Sequence, residues 1–449
     1  MNFQEVTAMN ITWTLHIEDF AKIKEADIQI NSLMCFVGDN NSGKSYVMSL
    51  LWGLLTLGKD IFPKTPPDSK TYKKCEEWLK SVKNTNVQIG DDIIAYYIAW
   101  FNDVLHNNRK NLVKRIFNFN INIGKVEIKN YTRTTLLTLK WDTRERYSSK
   151  KDAIIFPTRD IFSREELFRM NQYICWNILM YGIAAPLFTP TVKGRRNGEP
   201  VYFPASRTGF MLTFPQLVES SLQTSFTMNE ENTVNPLTLP YVDFLQLITK
   251  YEVKNTERNK FRDCIDFMEN TMTKGKISVR KEMLPVIKYI PDGSSQELPL
   301  YTASSIIAET APILLLLKSE IKFNALVIEE PEAHLHPELQ QKMIQLIIRL
   351  VNLGIPVWIT THSDTIVQHI NNMIKLVNNP DKINLMQSFG YQKEDIISPQ
   401  NVSIYQFVNQ TNKTNIIPLN SGKYGFVVPT FNDALEKILE EVYAFQDGD

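Results

Sequence analysis

The sequence predicts an α/β fold: a sheet of buried strands with helices between them, carrying an inserted small antiparallel sheet and a helical arm. Three stretches predict it, and each is an apolar run that stops at polar residues and restarts as a helix. Leu33 to Val37 ("LMCFV") leads through "GDNNSGK" into "SYVMSLLWGLLTL". Ala325 to Ile328 leads through "EEPEAHLHP" into "ELQQKMIQLIIRL". Pro356 to Ile359 leads through "TTHSD" into "TIVQHI". Strands that read as continuous apolar runs, alternating with helical patterns, are those of a sheet covered on both faces.

The elements follow in order. "ITWTLHI" and "KIKEADIQI" read as a hairpin leading into the first buried strand. Residues 61–110 are mixed and partly helical, with a turn at "FPKTPPDSK". From Arg115 to Trp141, apolar and polar residues alternate around a glycine, which predicts the small antiparallel sheet. Residues 163–185 are helical, and "ICWNILMYGIAAPLF" predicts a buried helix ended by Pro186. "VYFPASRTGF" is a short strand running into a polar turn. Residues 211–275 are mostly helical, including the charged "YEVKNTERNKFRDCIDFMENTM", without the sustained heptads of a coiled coil. "GKISVRKE", "PVIKYIPDG" and "ELPLYT" read as strands.

Composition sets bounds. In 449 residues, 49 Lys and Arg balance 49 Asp and Glu, which excludes a globally basic nucleic-acid binder but not a local patch. The four cysteines are scattered with no paired spacing, so reduced thiols and no zinc site are expected. "MNFQEVTAMN" lacks the features of a leader, and no apolar run reaches the roughly 18 residues of a membrane span. The expectation is a soluble, cytoplasmic protein with no membrane partner.

The chemistry concentrates where the three strands end. Gly38-Asp39-Asn40-Asn41-Ser42-Gly43-Lys44-Ser45 fits G-x-x-x-x-G-K-[ST] at every position. Such a loop converges backbone N–H groups on phosphate oxygens, and the following helix adds the positive end of its dipole. Lys44 would reach the β- and γ-phosphates and the Ser45 hydroxyl would ligate Mg²⁺. The bland alternative is an accidental turn. Glu329 and Glu330 end the second strand, and Pro331 prevents its continuation. One acid would hold the Mg²⁺ shell and the other would orient or deprotonate the attacking water. Their bland alternative is a solvated acidic turn, with Glu332 near a helix N-terminus. His362, ending the third strand, could contact a γ-phosphate or the water, although a lone histidine there is more often a cap. His16, His106 and His369 carry only the bland reading.

The order of P-loop, "LVIEEPEAHLHP" and "TTHSD" resembles the ABC-type ATPase heads of the SMC, RecF and OLD group. More closely it resembles the compact ATPases of bacterial anti-phage systems such as Septu and PARIS. The resemblance covers residues 11–57 and 277–445 well and the middle loosely. It implies a P-loop NTPase with an ABC ATPase-like head split between 1–57 and 277–449. An inserted lobe would occupy 58–210 and a helical arm 211–276. It implies ATP and Mg²⁺ as ligands, with Gly38, Asn40, Asn41, Ser42, Gly43, Lys44 and Ser45 cradling phosphates. Ser45 and Glu329 would serve the metal, Glu330 catalysis, and His362 the switch position. "YTASSIIAETAPILLLL" stands where the signature motif belongs, so Ser304 and Ser305 would contact nucleotide held by a second subunit. Arg207 in "PASRTG" is a further phosphate or interface candidate.

Several positions depart from the pattern. The signature lacks its glycines, with Ile306 and Ile307 in their place. Glu329 replaces an aspartate, and His336 stands where an aspartate is usual. Gln88 and Gln172 are the candidates for the Q-loop. The OLD nucleases carry a C-terminal Toprim domain with a Glu and an Asp-x-Asp pair. After His362 such a pair occurs only as the closing "DGD", where no fold is expected to support it, and no histidine cluster suggests HNH chemistry. An intrinsic nuclease is therefore not expected. The resemblance implies a slow or regulated ATP hydrolase, dimeric at least. It would act as sensor and scaffold of a defence system and switch a separate nuclease or toxin. The alternative is a DNA-repair or recombination head clamping DNA through Lys193, Arg195, Arg196, Lys254, Arg258, Lys260 and Arg262. A transporter's nucleotide-binding subunit ranks last.

Overall fold

The computed structural model describes residues 9, 11–143, 147–150, 152–187, 198–214, 216–217, 237–253, 259–282, 284–411, 413–422 and 425–446. Lys193, Arg195, Arg196, Lys254 and Arg258, and the stretch 218–236 of the expected arm, lie outside the described residues. Among the described residues no helix is long and apolar enough to cross a membrane. All four cysteines are buried free thiols.

A nine-stranded sheet organises the molecule. Its strands are β1 (Ile11–Phe20), β2 (Ile23–Gln29), β3 (Leu33–Gly38), β4 (Lys125–Arg133), β5 (Val201–Phe203), β6 (Leu326–Glu329), β7 (Val357–Thr361), β8 (Val402–Gln410) and β9 (Lys413–Leu419). Their spatial order is β4-β1-β2-β9-β8-β3-β7-β6-β5. From β8 through β3, β7 and β6 to β5 every pairing is parallel. The β1–β2, β1–β4 and β8–β9 pairings are antiparallel.

Alternate side chains of the parallel strands enter two cores. Met34, Phe36, Val327 and Trp358 pack into one, with Val47, Leu51 and Leu54 of the helix Lys44–Leu57. Leu33, Cys35, Val37, Ile328 and Ile359 pack into the other. There they meet Leu314 of Ser305–Lys318, Ile347 of Pro337–Asn352 and Ile370 of Asp364–Val377. Burial on both faces is why these strands are apolar throughout. It leaves their ends as the places where polar side chains can stand.

Register then fixes what those ends share. Glu329 pairs with Thr360, and Thr360 with Phe36. Thr361 pairs with Val37, and Phe407 with Gly38. The C-terminal ends of β3, β7 and β6 are therefore flush at one edge, where parallel α/β sheets carry ligands.

The inserted segment corrects two sequence expectations. Arg115 to Trp141 does not form one antiparallel sheet. Its first residues end the helix Asp91–Phe117, which Asn118 terminates in the left-handed conformation with φ 51°. Next, β4 joins the main sheet beside β1, placing Val126 and Ile128 opposite Ile17 and Leu15. Then Thr138–Asp142 enters a separate four-stranded sheet, where it runs parallel to Ala153–Pro157. Alternation marks a half-buried strand but does not name its neighbour, and β1 offered an apolar row. The buried helix after it spans Arg164–Met180, begun by a Ser163–Glu166 capping box. It stops at Tyr181, before left-handed Gly182 and well short of Pro186. The three strands after residue 275 are as expected, paired antiparallel as Gly275–Lys281, Pro285–Pro291 and Leu298–Pro299. Of the segment 211–276, Phe244, Leu247, Ile265 and Met268 are buried in the core shared with β3 and β6.

Candidate nucleotide-hydrolysis site

The P-loop begins where β3 can go no further. A Cβ on Gly38 would lie 2.2 Å from the Phe407 carbonyl oxygen on β8, and its φ is 132°, so only glycine fits. Asn41 and Gly43 turn through the left-handed region, at φ 58° and 92°. Ser42 Oγ donates to the Asp39 carbonyl at 2.7 Å, and Asn409 of β8 donates to the Asn40 carbonyl at 3.2 Å. The Lys44 amine folds back on its own loop, donating to the Gly38 carbonyl at 2.9 Å and that of Asp39 at 2.7 Å. Burial draws Lys44 down to about 8, opposed chiefly by the charges of Glu330 and Asp39, then Glu332 and Glu329. Asn40, Asn41 and Ser45 face solvent.

The acids after β6 take separate environments. Glu329 is buried, with Oε2 accepting from Ala205 N at 3.2 Å and Oε1 without a partner. Glu330 is the turning point. Its φ of 43° lies in the left-handed region, which a side-chain-bearing residue holds only where its surroundings impose it. Its N–H donates to the Thr360 carbonyl at 3.0 Å and meets Thr360 Oγ1 at 3.2 Å, so β7 fixes it. This turn separates two neighbouring carboxylates that a continued strand would send to opposite faces. Glu332 folds back onto β7, with Oε1 accepting from Thr361 Oγ1 at 2.6 Å and from His362 N at 2.8 Å. Burial raises its carboxyl above the usual range.

His362 completes the edge, its Nε2 3.8 Å from Glu330 Oε1. Burial and the Lys44 charge hold its imidazole below its ordinary value, against the opposing pull of Glu330 and Asp39. Lys44, Glu330, Glu329 and His362 thus share one electrostatic environment, although they come from distant parts of the chain.

Arg207 has a different place from the one expected of it. Its guanidinium is wholly buried and cannot present itself to a phosphate. Nη1 donates to the Glu329 carbonyl at 2.6 Å, Nη2 to the Glu330 carbonyl at 3.0 Å, and the group pairs with Glu309. Ser304 and Ser305 are exposed at the start of the helix Ser305–Lys318, which carries Glu309 one turn further on. His336 caps the start of Pro337–Asn352 and is exposed. The Gln172 amide is committed to the Pro63 carbonyl at 3.0 Å.

Sequence reasoning missed Glu309, and gave Glu332 only the role of an acid near a helix N-terminus. Glu309 did leave a signal: it is the one acid in the apolar run "SIIAETAPILLLL", and a charge in a buried helix needs a partner.

The AAA ATPase domain family (AAA_15) matches residues 9–170 and 211–367. The chain belongs to this family of α/β P-loop ATPases, whose activity in general is ATP hydrolysis. No curated protein matches the sequence. Among solved structures, an SMC head bound to the C-terminal winged-helix domain of ScpA is similar at 10% identity and TM-score 0.35, covering 92% of this chain and 98% of that one. An SMC head domain from Thermotoga maritima has 10% identity and TM-score 0.33, with coverage of 91% and 99%. One from Pyrococcus furiosus, with an extended coiled coil and bound to the C-terminal domain of ScpA, has 10% identity and TM-score 0.34, with coverage of 96% and 100%.

Proposed function

We propose that this ATPase hydrolyses Mg-ATP at the edge shared by β3, β7 and β6, in two heads that close on nucleotide. The observation that carries the reading is the flush ending of β3, β7 and β6, which sets His362 Nε2 3.8 Å from Glu330 Oε1 and puts Lys44 in the field of Glu330 and Glu329. The residues fit a metal-bound triphosphate. Glu329 Oε1 and Glu332 Oε2 are buried and unpartnered, and the loop amine is held by the Gly38 and Asp39 carbonyls and by Ser42 Oγ at 3.4 Å, partners that it can exchange. Bound Mg²⁺ would supply charge neutralisation on the phosphates, with Ser45 and Glu329 as the residues to hold it. Lys44 would trade the Gly38 and Asp39 carbonyls for phosphate oxygens. Glu330 would accept a hydrogen bond from the attacking water, and a largely neutral His362 would orient the same water. Ser304 and Ser305 would present their hydroxyls to the partner head's nucleotide.

At the cellular level we read the protein as the sensor and scaffold of a cytoplasmic anti-phage system, acting through a separate nuclease or toxin. The support is the motif order, with no nuclease constellation recognised in the sequence. Clamping of DNA by a repair ATPase is the second reading, and it fits the family equally.

Glu330→Gln tests the chemistry. It should bind ATP as the parent does, lose turnover by roughly 10²–10³-fold, and shift to a dimer on sizing only with ATP. Parental turnover in that variant would reassign the base. For the cellular role, Lys44→Ala should abolish protection of cells against phage. Unchanged protection, with no co-purifying effector, would discard that role in favour of the DNA reading.

A further inference from the structure

We propose that Arg207 and Glu309 are positioning residues that hold the catalytic turn and make its placement depend on the signature helix. The inference rests on the reading of Glu330 as the group that handles water. One guanidinium takes the carbonyls of both Glu329 and Glu330, at 2.6 and 3.0 Å, and a third at Pro204, at 3.2 Å. Those carbonyls belong to the point where β6 ends and the chain enters a left-handed turn. The Glu330 amide is held by Thr360 from β7, so Arg207 supplies the opposing grip. Between them the two contacts fix the peptide on either side of the strained residue.

The same Nη2 that reaches the Glu330 carbonyl is paired with Glu309, which also accepts from Thr208 Oγ1. Both charged side chains are fully shielded from water. A buried ion pair is a weak source of stability compared with packed apolar residues of the same volume, whereas it fixes geometry well. Glu309 lies in the first turns of the helix that begins at Ser305. A displacement of that helix, when Ser304 and Ser305 engage the partner's nucleotide, moves Glu309, then the guanidinium, then the Glu330 carbonyl. Hydrolysis is thereby linked to closure of the second head without any contact between the signature serines and Glu330.

The test uses the full chain and two variants. Glu309→Gln keeps the shape and removes the charge, and Arg207→Met with Glu309→Leu replaces the pair by apolar groups. Affinity is read with a fluorescent ATP analogue, turnover by phosphate release, and folding by melting temperature. Both variants should fold and bind the analogue within about threefold of the parent, because the P-loop is untouched. In both, kcat should fall roughly tenfold to a hundredfold at unchanged KM, the scale of a small misplacement of a catalytic group. The rise of turnover per head with protein concentration should also flatten. Parental kcat in the apolar double variant, or an unaltered concentration dependence in Glu309→Gln, would overturn the proposal. Turnover by the parent and its loss in Glu330→Gln check the hydrolytic reading separately, so the two can fail independently.

Discussion

The P-loop and the acidic turn face each other across β7, yet they are held in opposite ways. The P-loop is held mainly from within, its lysine and serine bonding carbonyls of the same loop, with one outside bond from Asn409 of β8. The acidic turn has backbone bonds of its own, from Ala333 N to the Glu330 carbonyl at 3.0 Å and from Leu335 N to that of Glu332 at 3.0 Å. Its side chains and strand end, however, are held by others: Thr360 and Thr361 of β7, Ala205 after β5, and Arg207 beyond it. It keeps buried carboxylate oxygens without partners, at Glu329 and Glu332. A loop held mainly from within binds; a turn held mainly from outside can be switched. Substitutions in the first should therefore change affinity, and substitutions in the second should change rate.

The largest effect is expected from Lys44→Ala. Loss of its charged hydrogen bonds should weaken ATP binding about a hundredfold, roughly 2.7 kcal/mol, in a calorimetric titration. An affinity within threefold of the parent would place binding elsewhere. Glu332→Ala should behave in the opposite sense. Freeing Thr361 and His362 N loosens the edge, so kcat should fall roughly tenfold while affinity is kept. A selective loss of affinity would undo the division between the two regions.

pH gives a smaller effect. Burial draws Lys44 to about 8 before nucleotide binds, whereas an amine among phosphates keeps its proton. Binding above pH 8 therefore requires proton uptake, and affinity should fall several-fold between pH 8 and 9. Measured titrations in two buffers of different ionisation enthalpy would show that uptake. Its absence would mean that Lys44 is already charged throughout this range.

The last effect is on stability and leaves turnover unchanged. His369 is buried, its Nε2 lacks a partner, and burial lowers it to about 4. The folded state thus resists a proton that the unfolded state takes up below about 6.5. Stability contributed by the neutral form is present above pH 6.5 and is lost as pH falls toward 4, by roughly 2–3 kcal/mol. His369→Phe should flatten this part of the acid melting profile by a few degrees. An identical profile in the variant would locate the acid sensitivity in other groups.

The same contrast explains what could be read from residue order. The P-loop is local, so eight consecutive residues announced it, and Glu329, Glu330 and His362 were visible because each ends an apolar run. Arg207 was noticed but given the wrong task, since only burial reveals that its guanidinium faces carbonyls rather than solvent. β4 was recognised as a strand and assigned to the wrong sheet, because its alternation is equally compatible with either neighbour. What escaped was tertiary pairing: which acid meets which base when both come from long, unrelated stretches.

Mixed subunits test the account most directly, because it requires Lys44 and Glu330 of one chain to serve the same nucleotide. Lys44→Ala and Glu330→Gln proteins, each inactive alone, are combined in equal amounts with ATP and phosphate release is followed. The expected result is no recovery, since every site in every dimer then lacks one of the two groups. Recovery to a substantial fraction of parental turnover would show that they act across subunits, and would contradict it.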